Sequence, residues 1–155
     1  MELSEKTMND VFRNRVKKYG DRLAVEKKLR GKWETASWNE YYDRARAFGL
    51  GLYSLGVRKG QMVAILSENR LEWCYSDLGT LGIGGVVIPV YPTLVSEEVE
   101  YILQNSGSKV IITEDKNQTK KVLEVVHKCP DLEKIVVMKD ADADKSNPKI
   151  MTFND

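Results

Sequence analysis

Apolar positions in this chain recur with two periods, and the change from one to the other divides it. In residues 8–19, Val11, Phe12 and Val16 fall at helical steps, which gives one buried stripe. Thr7 precedes them with Asp10 three residues on, the spacing of a capping box, and Gly20 supplies the stop. Residues 23–29 and 32–36 read as two short strands joined at Arg30-Gly31, a β-hairpin. Ser37 and Glu40 form a second capping box. Behind it Trp38, Tyr41, Ala45, Phe48, Gly49, Leu52 and Leu55 define a long amphipathic helix that ends at Gly56.

From residue 62 the pattern becomes short continuous apolar runs separated by helical ones. The runs are 62–66, 86–90, 110–113 and 135–138, with starts 24, 24 and 25 residues apart. Unbroken runs of this length suit strands covered on both faces. The intervening helices are predicted to start at Asn69 (with Glu72 reciprocal), Ser96 (with Glu97 and Glu98 in the first turn) and Asp115 (with Gln118 reciprocal). Strand–helix–strand units with short loops impose parallel pairing through right-handed crossovers. The fold class is therefore α/β: a mainly parallel sheet with helices on both faces, preceded by a helix and a hairpin. Residues 140–155 are expected as loop and tail, with Ile150-Met151-Thr152-Phe153 able to start one further element.

Residues 78–96 hold no charge, a length that would nominate a membrane span. Gly79, Gly82, Gly84 and Gly85 with Pro89 and Pro92 argue instead for a helix end turning into a buried strand. Length, 155 residues, and 42% hydrophobic content fit one soluble domain. The net charge is +1, so polyanion binding by the chain as a whole, nucleic acid included, is not expected. The charge is uneven: residues 1–60 carry 14 basic against 8 acidic groups, and residues 61–108 carry 1 against 6. A solvated basic face is the favoured reading of that opening. Cys74 and Cys129 have no metal or disulfide spacing and read as free thiols of a reducing, cytoplasmic compartment; no secretory signal is visible.

Candidate chemistry is sparse. The strand at 62–66 is followed by Ser67-Glu68-Asn69-Arg70, with no glycine to let a backbone approach a pyrophosphate and with Glu68 to repel one. His127, the only histidine, sits at a helix end and suits capping or solvent. No ligand-type residues have metal spacing. Glu97/Glu98 and Asp140/Asp142/Asp144 read as capping and solvated groups, and Trp33, Trp38 and Trp73 as core or interface packing. The residues themselves assemble no complete active site.

Four stretches carry a resemblance. They are Ser37-Trp38-Asn39-Glu40-Tyr41; Gly56 to Trp73, which includes Glu68-Asn69-Arg70-Leu71-Glu72-Trp73; Gly84-Gly85-Val86-Val87-Ile88-Pro89-Val90-Tyr91-Pro92-Thr93-Leu94; and Glu98 to Val110. In order and spacing these resemble the N-terminal region of AMP-forming acyl-CoA synthetases, within the adenylate-forming superfamily, and its long-chain fatty acid branch in particular. Leu71 stands where many relatives have proline at a helix start, a small loss of preorganisation.

The resemblance implies a parent ligase that joins a fatty acid to coenzyme A with ATP and Mg2+. Its phosphate loop, nucleotide-binding segments and catalytic lysine would lie beyond residue 155. No catalytic, cofactor-binding or metal-binding residue is carried over, Lys109, Lys120 and Lys121 included, and the 155 residues alone are expected to bind no cofactor and to be inactive. Tyr91, Pro92 and Thr93 are the substrate-channel candidates; a purely structural turn is the other reading of that loop. Ligases for aryl, medium-chain or carrier-protein-linked acids, and a non-catalytic α/β interaction module, are the alternatives. Exposed apolar surface would favour a homodimer, and peripheral membrane contact stays open.

Overall fold

The computed structural model describes residues 5–29 and 31–155. Helix α1 (Met8–Tyr19) is followed by strands β1 (Leu23–Leu29) and β2 (Lys32–Ser37), helix α2 (Trp38–Ser54), and then β3 (Met62–Leu66), α3 (Leu71–Gly82), β4 (Val86–Val90), α4 (Ser96–Ser106), β5 (Val110–Thr113), α5 (Lys116–Val125), β6 (Lys134–Val137) and β7 (Ile150–Thr152). Strands β1 and β2 form an antiparallel pair; Arg30, in their expected turn, lies outside the described residues. The other five strands form one parallel sheet in the order β4-β3-β5-β6-β7.

Strand β3, flanked by β4 and β5, shows why the sequence pattern is unbroken there. Val63, Ala64, Ile65 and Leu66 are all fully buried, because both faces are covered. Ala64 and Leu66 pack with Val99 and Leu103 of α4 and Val122 of α5. Val63 and Ile65 pack with Leu52 of α2, and Phe48 and Trp73 lie against the same cluster. Each such aliphatic side chain contributes about 1.5–3 kcal/mol relative to exposure. A third cluster, Phe12, Tyr41, Ala45 and Tyr75, joins α1 to α2 and α3 through edge-on ring pairs at 4.9 and 5.6 Å. The layers therefore run from α1 and the hairpin, through α2 and α3, to the sheet and then α4 and α5.

Helices α2 and α3 meet almost backbone to backbone. A Cβ on Gly79 would stand 2.6 Å from Ala45 O and 3.0 Å from Gly49 N. A Cβ on Gly49 would stand 2.6 Å from Gly79 O. Only glycine permits that approach.

Several expectations need correction. The 140–155 tail is not all loop: Ile150–Thr152 is a fifth strand, and the segment before it holds a short 3-10 turn at Asp140–Asp142. The fourth run is Lys134–Val137, one residue earlier than predicted. Arg70, not Asn69, precedes α3, with no side-chain cap, because a guanidinium has only donors and cannot accept from the first helix amides. Val95, not Ser96, precedes α4, and Glu98 accepts the Val95 N–H at 3.1 Å. Asp115 does cap α5, accepting from the Asn117 and Gln118 amides, but the Gln118 side chain turns away to Pro92. Trp33 is 57% exposed on the hairpin, beneath the Lys28 ammonium, rather than packed.

Both edges of the large sheet are short of free donors. Gly60 N–H bonds Gly84 O and Val86 N–H bonds Gln61 O, so even-numbered residues of β4 face β3. The outward positions are Val87 and Pro89, and Pro89 has no N–H. On β7, Ile135 N–H bonds Lys149 O and Phe153 N–H bonds Val137 O, which leaves the amides of Ile150 and Thr152 pointing outward. Asn147 O takes the first and the Asp155 carboxylate takes the second, at 2.9 and 2.8 Å.

Candidate functional site

The chain reverses direction across the sheet between β3 and β5. From β3 it crosses through α3 on one face to β4, then returns over the other face through α4 to β5. In an open parallel sheet that reversal leaves a crevice above the carboxyl ends of the two strands, the usual location for ligands. The loops converging on this edge are Ser67-Glu68-Asn69-Arg70 after β3, Tyr91 to Val95 after β4, Glu114-Asp115 after β5 and Met138-Lys139 after β6.

A network of paired charges occupies the crevice. Arg70 Nε donates to Glu72 Oε2 at 3.0 Å and its Nη1 to Glu114 Oε1 at 3.2 Å. Glu114 also accepts the Glu68 N–H at 3.0 Å. Lys139 Nζ lies 3.6 Å from Glu114 Oε1 and donates to Asp115 Oδ2 at 3.1 Å. Burial disfavours the Arg70 cation, but its bonds to Glu72 and Glu114 prevail and hold its pKa above the ordinary value. Glu72 shows the converse: burial pushes its carboxyl up, and the Arg70 bonds and charge pull it below its usual range. Asp115 also sits low, where the helix amides and Lys139 outweigh burial. Glu72, Glu114 and Asp115 are thus each already matched by a cation or a backbone amide.

The substrate-channel candidates lie on the same edge, on the loop that leaves β4. Lys121 Nζ donates to Pro92 O at 2.7 Å and to Leu94 O at 2.8 Å. Gln118 Nε2 donates to Pro92 O at 3.2 Å, and Leu94 N–H closes a turn onto Tyr91 O. Pro92 is half-buried against these donors, while Tyr91, 77% exposed, and Thr93 point to solvent. Gln118 belongs to both groups, since its own amide is bound by Asp115. One helix start therefore ties the β4 loop to the crevice. Sequence reasoning gave none of Arg70, Glu114, Gln118 and Lys121 a role at this edge; it read Gln118 only as the capping partner of Asp115 and carried no role to Lys121. The only local signal was the three-residue spacing of Gln118 and Lys121 on α5 beside buried Val122 and Val125.

The remaining candidates are scattered. His127 is exposed in the short turn after α5. Cys129 is buried and Cys74 half-buried, both as free thiols whose pKa burial raises. Among the described residues no three His, Cys, Asp or Glu side chains cluster as a metal site, and no helix is long and apolar enough to cross a membrane.

The family model described as "AMP-binding enzyme" matches residues 12–153. The chain belongs to the AMP-binding enzyme family. Among relatives, the long-chain-fatty-acid–CoA ligase ACSBG2 of Xenopus laevis is 32% identical over 149 residues, 96% of this chain and 20% of the relative. The corresponding ACSBG1 of Homo sapiens is 34% identical over 139 residues, 90% of this chain and 19% of the relative. The chain thus spans about a fifth of the length of these relatives. Among solved structures, a putative long-chain-fatty-acid CoA ligase from Rhodopseudomonas palustris superposes with a TM-score of 0.82 at 24% identity, covering 99% of this chain and 36% of that one. The anthranilate CoA ligase AuaEII in complex with anthranoyl-AMP superposes at 0.76 with 25% identity, covering 84% of this chain and 24% of that one. The predicted α/β class and the family resemblance both hold for this member of the AMP-binding enzymes.

Proposed function

We propose that this chain is the N-terminal subdomain of a long-chain fatty acid–CoA ligase. The parent reaction has two steps. A fatty carboxylate attacks the α-phosphorus of ATP, giving acyl-AMP and pyrophosphate; the thiol of coenzyme A then displaces AMP. The observation that carries the reading is the family match over residues 12–153 combined with relatives that are long-chain-fatty-acid–CoA ligases. In this reading residues 1–155 form one layer of the large domain, and Tyr91, Pro92 and Thr93 wall the acyl channel, with Lys121 and Gln118 holding the loop in place. The parent works with Mg2+ in the cytoplasm, in transient contact with membrane surfaces that hold its substrate.

The residues on this edge do not fit a magnesium site of their own, because Glu72, Glu114 and Asp115 are bound to Arg70, Lys139 and helix amides. The test is fatty-acid-dependent ATP–pyrophosphate exchange, measured on the 155 residues and on the parent ligase that contains them. The parent is expected to exchange with long-chain acids and the 155 residues not at all; exchange by the short chain would refute the subdomain reading. A panel of aryl, medium-chain and long-chain acids separates the sibling ligases, a reading supported by the shared fold of the anthranilate ligase.

A further inference from the structure

A cleft of about 290 Å³ lies between α1, α2 and α3, remote from the carboxyl edge. Helix α3 leaves the sheet at that edge with Leu71, and the cleft is lined by its last residues, Gly79, Gly82 and the following Ile83, at the other end. Its apolar lining is Phe12, Ala45, Leu50, Leu78 and Ile83. Two cations also line it, Arg13 from α1 and Arg46 from α2. Neither guanidinium has an ion-pair partner among the described residues.

We infer that this cleft binds a medium-chain carboxylic acid, with its carboxylate on Arg13 and Arg46 and its alkyl body on the apolar floor. Charge selects an anion, and the planar guanidinium fork matches a carboxylate. The cleft borders the C-terminal end of α3, whose dipole opposes any anion, so the two guanidinium groups must outweigh it; a monoanion is opposed less than a phosphate dianion. The volume is close to the lower limit for ligand pockets and holds about ten water-sized groups, which matches an acid of roughly eight carbons. The close crossing of Gly49 and Gly79 forms the floor as bare backbone, because a Cβ on either would run into the facing helix and force the two apart. This site is independent of the ligase reading and is a second place for an acyl anion to bind.

The test is titration of the ¹⁵N-labelled 155-residue chain with octanoate, without ATP or coenzyme A. Saturable amide shifts are expected at Gly49, Gly79, Gly82 and Ile83. Hexanoate should bind about 15-fold more weakly, for two methylenes lost. Arg13→Gln with Arg46→Gln should weaken octanoate at least tenfold and leave octanol unchanged. Gly82→Leu should abolish binding of both, because a Cβ there meets no atom within 4 Å and the side chain enters open space in the cleft. Retained amide dispersion in each variant separates lost binding from lost folding. Shifts centred on residues 91–93, undiminished octanoate affinity in the double arginine variant, or no saturable shift at all would overturn the assignment. The outcome is also separable from that of pyrophosphate exchange, which reads the parent's chemistry and not this cleft.

Discussion

Replacing Gly79 with alanine sets two opposing effects against each other in one helix. Alanine in a helix interior is favoured over glycine by about 1 kcal/mol. The new methyl, however, would lie 2.6 Å from Ala45 O, 3.0 Å from Gly49 N and 3.2 Å from Phe48 Cδ1, where ordinary contact begins near 3.4 Å. Two of those atoms are backbone of α2, so no rotamer change relieves the clash and the helices must part. Overpacking of that kind costs about 1–3 kcal/mol, and the loosened contact extends to Phe48 and Tyr75 on either side. The steric effect cancels the propensity gain at its lower end and exceeds it over the rest of its range, for a net loss of up to about 2 kcal/mol. At this chain length that lowers the thermal midpoint by up to about 4–8 °C. Gly51→Ala is the internal control: it lies in α2, and its Cβ would meet nothing within 4 Å. Its midpoint should rise by about 2–4 °C. Calorimetry of the wild type, both variants and the Gly49→Ala/Gly79→Ala pair reads the result. If Gly79→Ala stabilises as Gly51→Ala does, the backbone contact is not what holds these helices together.

Arg70→Met should cost about 2–3 kcal/mol in urea unfolding at constant m, because it leaves Glu72 partly buried without its cation and Glu114 with Lys139 alone. Glu72 and Asp115 are held below their unfolded values, so their stabilisation is present above the ordinary carboxylate range and is lost as pH falls through the depressed folded values. Urea midpoints should therefore drop between about pH 5 and pH 2, less steeply in Arg70→Met; an unchanged slope in that variant would mean Arg70 does not hold Glu72 charged. Lys121→Met should leave global stability within about 1 kcal/mol while hydrogen exchange at Leu94 accelerates, since both carbonyls of the β4 loop lose a donor. A thiol reagent at neutral pH should label Cys74 before Cys129, both slowly, as burial raises both pKa values.

The strands were legible because burial on both faces writes an uninterrupted apolar run, and Met62–Leu66 shows this most plainly. Two of the three later helix starts were misplaced for identifiable reasons. At α3 the N-cap position falls on Arg70, whose guanidinium only donates and is bound to Glu72 and Glu114, and at α4 the box runs from Glu98 back to the amide of Val95, an aliphatic residue with no capping side chain. Strand β7, at three residues, was too short for a periodicity to declare itself. The position of the Tyr91 loop followed from topology, but what fixes it did not. Lys121 and Pro92 are 29 residues apart and Arg70 and Glu114 are 44 apart, so nothing local records that they meet.

The missing donors along both margins of the five-stranded sheet set how this layer meets anything else. Opposite Pro89 an incoming backbone finds no amide, and opposite Ile150 and Thr152 it finds two that are already engaged. Ribbon growth from copy to copy is therefore blocked at the β7 margin and left a single outward amide, that of Val87, at the β4 margin. Crowded solutions of this chain should clump through exposed rings such as Tyr91 and Trp33, reversibly, rather than polymerise into fibrils.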